Sequence, residues 1–237
     1  MQQFDFVKAI FEFVILIFSL SVHECAHAWT ASMLGDQTAR LQGRITLNPM
    51  YHVDPIGTLL FPALMIFGPL FGLNFFGGML VGWAKPTPVI TRNFRKIVRD
   101  DNLTTLAGPV SNLLIVLAAF IILAIYIRIF PTERMNALLP FVVFLRMHQI
   151  LAVQPVVLLC FLAILINLLL CFFNLLPIPP LDGSRVVRNL LPYNAVQVYD
   201  RIPIWGSYLL MILLGPAIIG TLFHPAFRLV FWCLIHI

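Results

Sequence analysis

Apolar residues in this chain come in long runs rather than in strict alternation, and several runs are long enough to cross a bilayer as helices. A span needs about twenty such residues at roughly 1.5 Å of rise each. The first run predicts a helix over residues 4–33, ended by Gly35 and Asp36. Residues 36–56 then read as a short polar connection, with Asn48-Pro49 and Asp54-Pro55 as turn signals. Residues 57–83 are apolar but interrupted by Pro62, Gly68, Pro69, Gly72, Gly77, Gly78 and Gly82, a pattern that predicts a broken or re-entrant element. Cleaner spanning runs follow at 104–130 and 154–176, while 137–145 is too short to cross alone. Residues 204–222 and 225–237 predict two last helices parted at His224-Pro225. The pattern as a whole predicts an all-α integral membrane protein, a multi-pass bundle of about five to six transmembrane helices. It also predicts one membrane-embedded domain over residues 1–237 with no appended soluble domain.

Composition strengthens this reading. Of 237 residues, 60% are hydrophobic and only 11% charged, with a mean hydropathy of +0.95, which is more apolar surface than one water-soluble core can bury. The net charge of +5 does not point to nucleic acid, because the cations, mostly Arg, are scattered between apolar runs. Lys85, Arg92, Arg95, Lys96 and Arg99 form the densest group and read as a cytoplasmic loop. Cys25, Cys160, Cys171 and Cys233 lack paired spacing and read as small packing residues.

Within the first predicted helix, His23-Glu24-Cys25-Ala26-His27 has the HExxH form. Spacing i, i+4 puts both imidazoles on one helix face, about a turn apart, where they can share a metal ion. Glu24 lies about 100° around the helix, a placement that suits a base acting on water at that metal. Ionisable side chains cost about 2.5–3.5 kcal/mol at the centre of a bilayer, so three within five residues call for a function rather than for packing.

Zinc needs a third protein ligand. The chain has ten carboxylates and six His from which to draw it, and His52, Asp54, Asp182 and His224 are the contenders. Asp182 stands out because Pro177, Pro179 and Pro180 stop a helix while it is still close to the membrane, which delivers a carboxylate on irregular backbone. A helix-stop turn with Asp182-Gly183 at the surface is the competing reading, and spacing does not choose between them.

Five stretches in order resemble the site-2 protease family of intramembrane zinc metalloproteases, in its compact bacterial branch without a PDZ domain. They are HECAHAW at 23–29, GDQTARLQGRITLNPMYHVDPIGTLLFP at 35–62, GWAKPTPV at 82–89, AGPVSNLL at 107–114 and NLLPIPPLDGSRV at 174–186. The resemblance implies that His23, His27 and Asp182 bind one zinc ion per chain and that Glu24 is general base and acid. It further implies that Asn174 stabilises the oxyanion and that Asn112 is a secondary polar residue near the site. The expected substrate is a transmembrane protein cleaved within or near its span, and the expected location is a bacterial inner membrane. The 57–83 element and the GWAKPTPV stretch are expected to hold unwound substrate as an extended strand. A metal-ion transporter and a noncatalytic membrane adaptor are the competing functions.

Overall fold

The computed structural model describes residues 2–73, 84–147 and 153–237. Among these the regular elements are all helical, with no strand. Helix α1 spans Gln2–Leu34, followed by the single turn α2, Thr38–Leu41. A π-helical stretch at Pro55–Leu60 leads into α3, Phe61–Phe67, and then into a 3-10 turn at Gly68–Phe71. The expected break is therefore present over the first part of 57–83, and residues 74–83 lie outside the described residues. Next come α4 (Ile97–Ile129), α5 (Arg134–Met147), α6 (Pro155–Asn174), α7 (Asp182–Leu190), α8 (Tyr193–Tyr199) and α9 (Ile204–Ile235).

Three helical stretches are long and apolar enough to cross a membrane: Phe6–Leu34, Ile97–Ile129 and Pro155–Asn174. Pro55–Phe71 and Gly220–Ile235 are shorter apolar helical stretches. Surfaces that would be errors in water are ordinary here. Val14, Phe18, Leu114 and Ile125 point outward from α1 and α4, as lipid-facing side chains do.

Two sequence expectations are corrected. The last two helices are one, because α9 continues through Pro225. The ring of Pro225 is exposed, and a proline's lost hydrogen bond is tolerated in a bundle whose neighbours can satisfy the freed backbone. Helix α4 also starts earlier than 104, so Asp100 and Asp101 belong to its first turns and are buried rather than in a loop. Asp100 makes that start possible by accepting the Lys96 N–H at 2.8 Å while pairing with Arg99 at 2.7 Å.

The apolar core sits between α4, α5, α6 and α9. Phe141, Phe161 and Phe227 are fully buried there, with ring centroids 5.0 Å apart for Phe141–Phe161 and 5.4 Å for Phe141–Phe227. On the opposite flank α4 packs along α1 in antiparallel register. His27 meets Thr104, and His23 meets Gly108, four residues further along α4 and four residues back along α1.

Candidate metal centre

The last turns of α1 carry His23 and His27 one above the other, and both are buried. Their Nε2 atoms are 3.1 Å apart. The irregular segment after α6 returns the chain so that Asp182, the first residue of α7, places Oδ2 3.1 Å from His23 Nε2 and 3.3 Å from His27 Nε2. Among the described residues this is the one group of three or more His, Cys, Asp or Glu side chains that could hold a metal ion. The alternatives open in the sequence are otherwise engaged. The His52 ring Nε2 bonds the Thr46 carbonyl at 2.8 Å, Asp54 caps the N–H groups of Ile56 and Gly57, and His224 is not in the group.

Backbone contacts shape the group. His27 Nδ1–H donates to the carbonyl of Thr104 at 2.7 Å, which fixes the tautomer and leaves Nε2 with a lone pair. Gly108 lies against both rings: a Cβ there would stand 2.4 Å from His27 Nε2 and 2.5 Å from His23 Nε2. The room for the group is thus the room left by a missing side chain. Gly183 does the same for Asp182, since a Cβ would meet the Leu175 carbonyl oxygen at 2.1 Å. The α7 helix start can therefore press onto the NLLP backbone.

This donor set fits a zinc ion. Tetrahedral zinc with bonds of about 2.0–2.1 Å separates its ligand atoms by about 3.3–3.4 Å, close to the 3.1–3.3 Å triangle of Nε2, Nε2 and Oδ2. The chemistry agrees with the geometry. With the His27 proton on Nδ1, its Nε2 and the carboxylate face each other as two acceptors with no proton between them, an arrangement a cation relieves.

Glu24 is held from a different segment. Its Oε2 accepts from the Thr87 N–H at 2.9 Å and from the Thr87 hydroxyl at 2.8 Å. Thr87 belongs to an extended segment fastened on either side. Lys85 N–H donates to the His52 carbonyl at 2.9 Å, and Ile90 N–H donates to Asp36 Oδ2 at 2.7 Å. Asp36, two residues past the end of α1, also accepts from Asn93 and from the Thr38 N–H and hydroxyl. Burial pushes its carboxyl up, but these donors outweigh that and hold it below its ordinary value.

A polar strut joins α7 to α4. Arg185 reaches Asp101 at 2.6 Å, and Asn189 donates to Asp101 and Asn102 at 2.7 and 2.8 Å. Arg185 is one turn past Asp182, and Asp101 is one turn before Thr104. Asn174 ends α6 and donates to its own helix at the Leu170 carbonyl, 2.9 Å. Asn112 is fully buried one turn beyond Gly108, and neither of its side-chain polar atoms has a partner among the described residues.

Sequence reasoning passed over Thr87, Thr104, Gly108, Gly183 and the Asp101–Arg185 pair. One signal was present: Pro86 and Pro88 leave Thr87 as the sole backbone donor between them.

A helical membrane protein that brings the two histidines of an HExxH motif and an aspartate to one buried point is, in class, a membrane-embedded metalloprotease. Comparison with known proteins agrees. The model for peptidase family M50 matches residues 11–214. The chain is 34% identical over 200 residues to the Bacillus subtilis protein named "Putative zinc metalloprotease YwhC", covering 84% of this chain and 78% of that one. It is 28% identical over 216 residues to "Putative zinc metalloprotease Rip2" of Mycolicibacterium smegmatis, covering 91% and 70%. The protein of the same name from Mycobacterium tuberculosis is 28% identical over 212 residues, covering 89% and 69%. No solved structure matches the chain. The chain belongs to peptidase family M50, the site-2 protease family that its motifs resemble.

Proposed function

We propose that His23, His27 and Asp182 hold one zinc ion per chain, that Glu24 moves the protons, and that the enzyme cleaves transmembrane proteins within or near their spans. The observation that carries this reading is the 3.1–3.3 Å triangle of three donor atoms on a helix that also bears Glu24. A zinc ion held there supplies Lewis acidity toward a peptide carbonyl and makes a water molecule acidic near neutral pH. The rest is the work of side chains. Thr104 keeps the His27 ring oriented, and the start of α7 presents the Asp182 carboxylate to the two rings. Glu24 takes the proton of the attacking water and returns it to the leaving amine. Asn174 retains a second amide N–H that can donate to the oxyanion, and Asn112 brings an unpartnered amide close to the centre.

Several features support a substrate in the membrane. The donors belong to α1 and to the end of a segment leaving α6, both helices apolar enough to span. The relatives named as zinc metalloproteases come from bacteria, which supports a bacterial cell membrane as the location. The described chain then works as a single catalytic domain crossing that membrane several times.

The test uses the purified full chain in detergent or liposomes with a fluorogenic single-span peptide whose core is rich in helix-breaking residues. Wild type is expected to bind one zinc per chain and cleave the probe. Asp182→Ala should lose most of the zinc, and Glu24→Gln should keep it while losing cleavage by a factor on the order of 10²–10⁴. Full zinc occupancy in Asp182→Ala would remove the third ligand, and undiminished cleavage by Glu24→Gln would overturn the assignment of the base.

A further inference from the structure

We propose that Thr87 is the positioning residue of the catalytic base, clamping Glu24 through one carboxylate oxygen so that the other is left for proton transfer. The inference rests on the reading of Glu24 as that base. Its observation is the pair of donors on a single atom: the Thr87 N–H at 2.9 Å and the Thr87 hydroxyl at 2.8 Å, both on Glu24 Oε2. The hydroxyl also lies 3.1 Å from the Glu24 backbone carbonyl, so Thr87 touches the main chain of α1 as well as the side chain. Hydrogen bonds to an ionised acceptor are shorter and stronger than neutral ones. A free Glu side chain samples many rotamers, and holding it in one removes that cost from the reaction.

The sequence around Thr87 is built for this task. Pro86 and Pro88 fix their own φ, and a residue that precedes proline is biased toward extended backbone. Thr87 is therefore held extended, with the one N–H of the Pro86–Pro88 tripeptide aimed at α1. The clamp is fixed at both ends, by Lys85 N–H on the His52 carbonyl and by Ile90 N–H on Asp36. The same geometry bears on the expected substrate strand. Over residues 86–88 no backbone N–H remains to pair with an incoming peptide, so this stretch can offer such a strand only carbonyls. Its donors serve Glu24.

The experiment compares wild type, Thr87→Val, Thr87→Ser and Glu24→Gln on a probe that wild type cleaves. Thr87→Val keeps the shape and the N–H but removes the hydroxyl. Its kcat should fall about tenfold with KM within about twofold, and Thr87→Ser should recover kcat to within about twofold of wild type. Zinc per chain and thermal stability should match wild type in both. A second readout needs no catalysis: Glu24→Ala should raise deuterium uptake in peptides covering residues 85–90, because the Thr87 amide loses its acceptor. Wild-type kcat in Thr87→Val while Glu24→Gln is inactive defeats the clamp and leaves the base intact. A rise in kcat would mean that Thr87 holds the base off, and a change confined to KM would make it a substrate contact; either overturns the proposal. An active Glu24→Gln defeats the reading beneath it.

Discussion

The flank formed by α5, α6 and α9 and the flank formed by α1, α4 and α7 are held together by opposite means. On the first, large rings fill space: Phe141, Phe161 and Phe227 are fully buried and meet edge-to-face or stacked. On the second, helices approach through glycines and are joined by directional bonds, His27 to Thr104, Asp101 to Arg185 and Glu24 to Thr87. Ring packing tolerates exchange of one apolar shape for another, because dispersion contacts are many and individually small. A triangle of donor atoms does not, since an ion needs its donors within about 0.5 Å of the productive geometry. Precision in this fold is thus supplied by absent side chains and by single hydrogen bonds rather than by bulk.

The sharpest way to break that contrast is Gly108→Ala. The added methyl would stand 2.4 Å from His27 Nε2, so zinc affinity should fall by about 10–100-fold and cleavage with it, while the thermal midpoint stays within a few degrees. Zinc analysis during chelator competition, alongside an unfolding scan, measures both. Unchanged affinity would show that the rings can yield and that the glycine does not define the space.

Next in size is the strut. Arg185→Met leaves Asp101, 5% exposed, without its cation, and should weaken both zinc affinity and cleavage several-fold. The double variant Asp101→Asn with Arg185→Met should recover part of the loss, because no buried charge is then unpaired. A defect in the double variant equal to the sum of the Asp101→Asn and Arg185→Met defects would mean that the pair carries no coupling, as a double-mutant cycle reports.

Acid sensitivity at Asp36 tests the same flank from its outer edge. Its carboxyl is depressed in the folded protein, so the stabilisation it gives is present above the unfolded value of about 3.9 and is lost as pH falls through the folded one. Asp36→Asn should therefore unfold at a lower temperature than wild type at pH 6, with the gap shrinking below about pH 4. Chelator-treated protein keeps zinc release out of the comparison. A gap that does not depend on pH would assign the effect to the lost hydrogen bonds alone.

The smallest effect belongs to the aromatic flank. Phe161→Leu should cost about 1 kcal/mol in stability and leave cleavage within about twofold of wild type. Loss of zinc there, with Gly108→Ala unaffected, would invert the comparison.

Much of this was legible in the chain. Long apolar runs fixed the positions of α1, α4 and α6, and HExxH gave both histidines their shared face, because both signals are local and periodic. Asp182 was visible as a candidate, but its choice over His52, Asp54 and His224 required knowing which backbone returns to α1. Residues that act by contact across 60 to 85 positions left little trace. Thr87 meets Glu24, and Gly108 meets His27, only after α4 has folded back along α1 in register. The division of 204–237 into two helices failed for a different reason. Proline breaks helices reliably in water, and α9 passes Pro225 in a bundle where that rule is weaker.

The glycine between the two imidazoles has a use beyond this molecule. A homologous chain could keep HExxH and LDG intact and still carry a side chain at the position of Gly108. By motif it would be counted as a protease, yet an added methyl or larger group would press on both imidazoles. If Gly108→Ala loses zinc as expected, position 108 is a one-residue filter for inactive copies: before any assay, it separates sequences that can accommodate an ion from those that have kept only the signature.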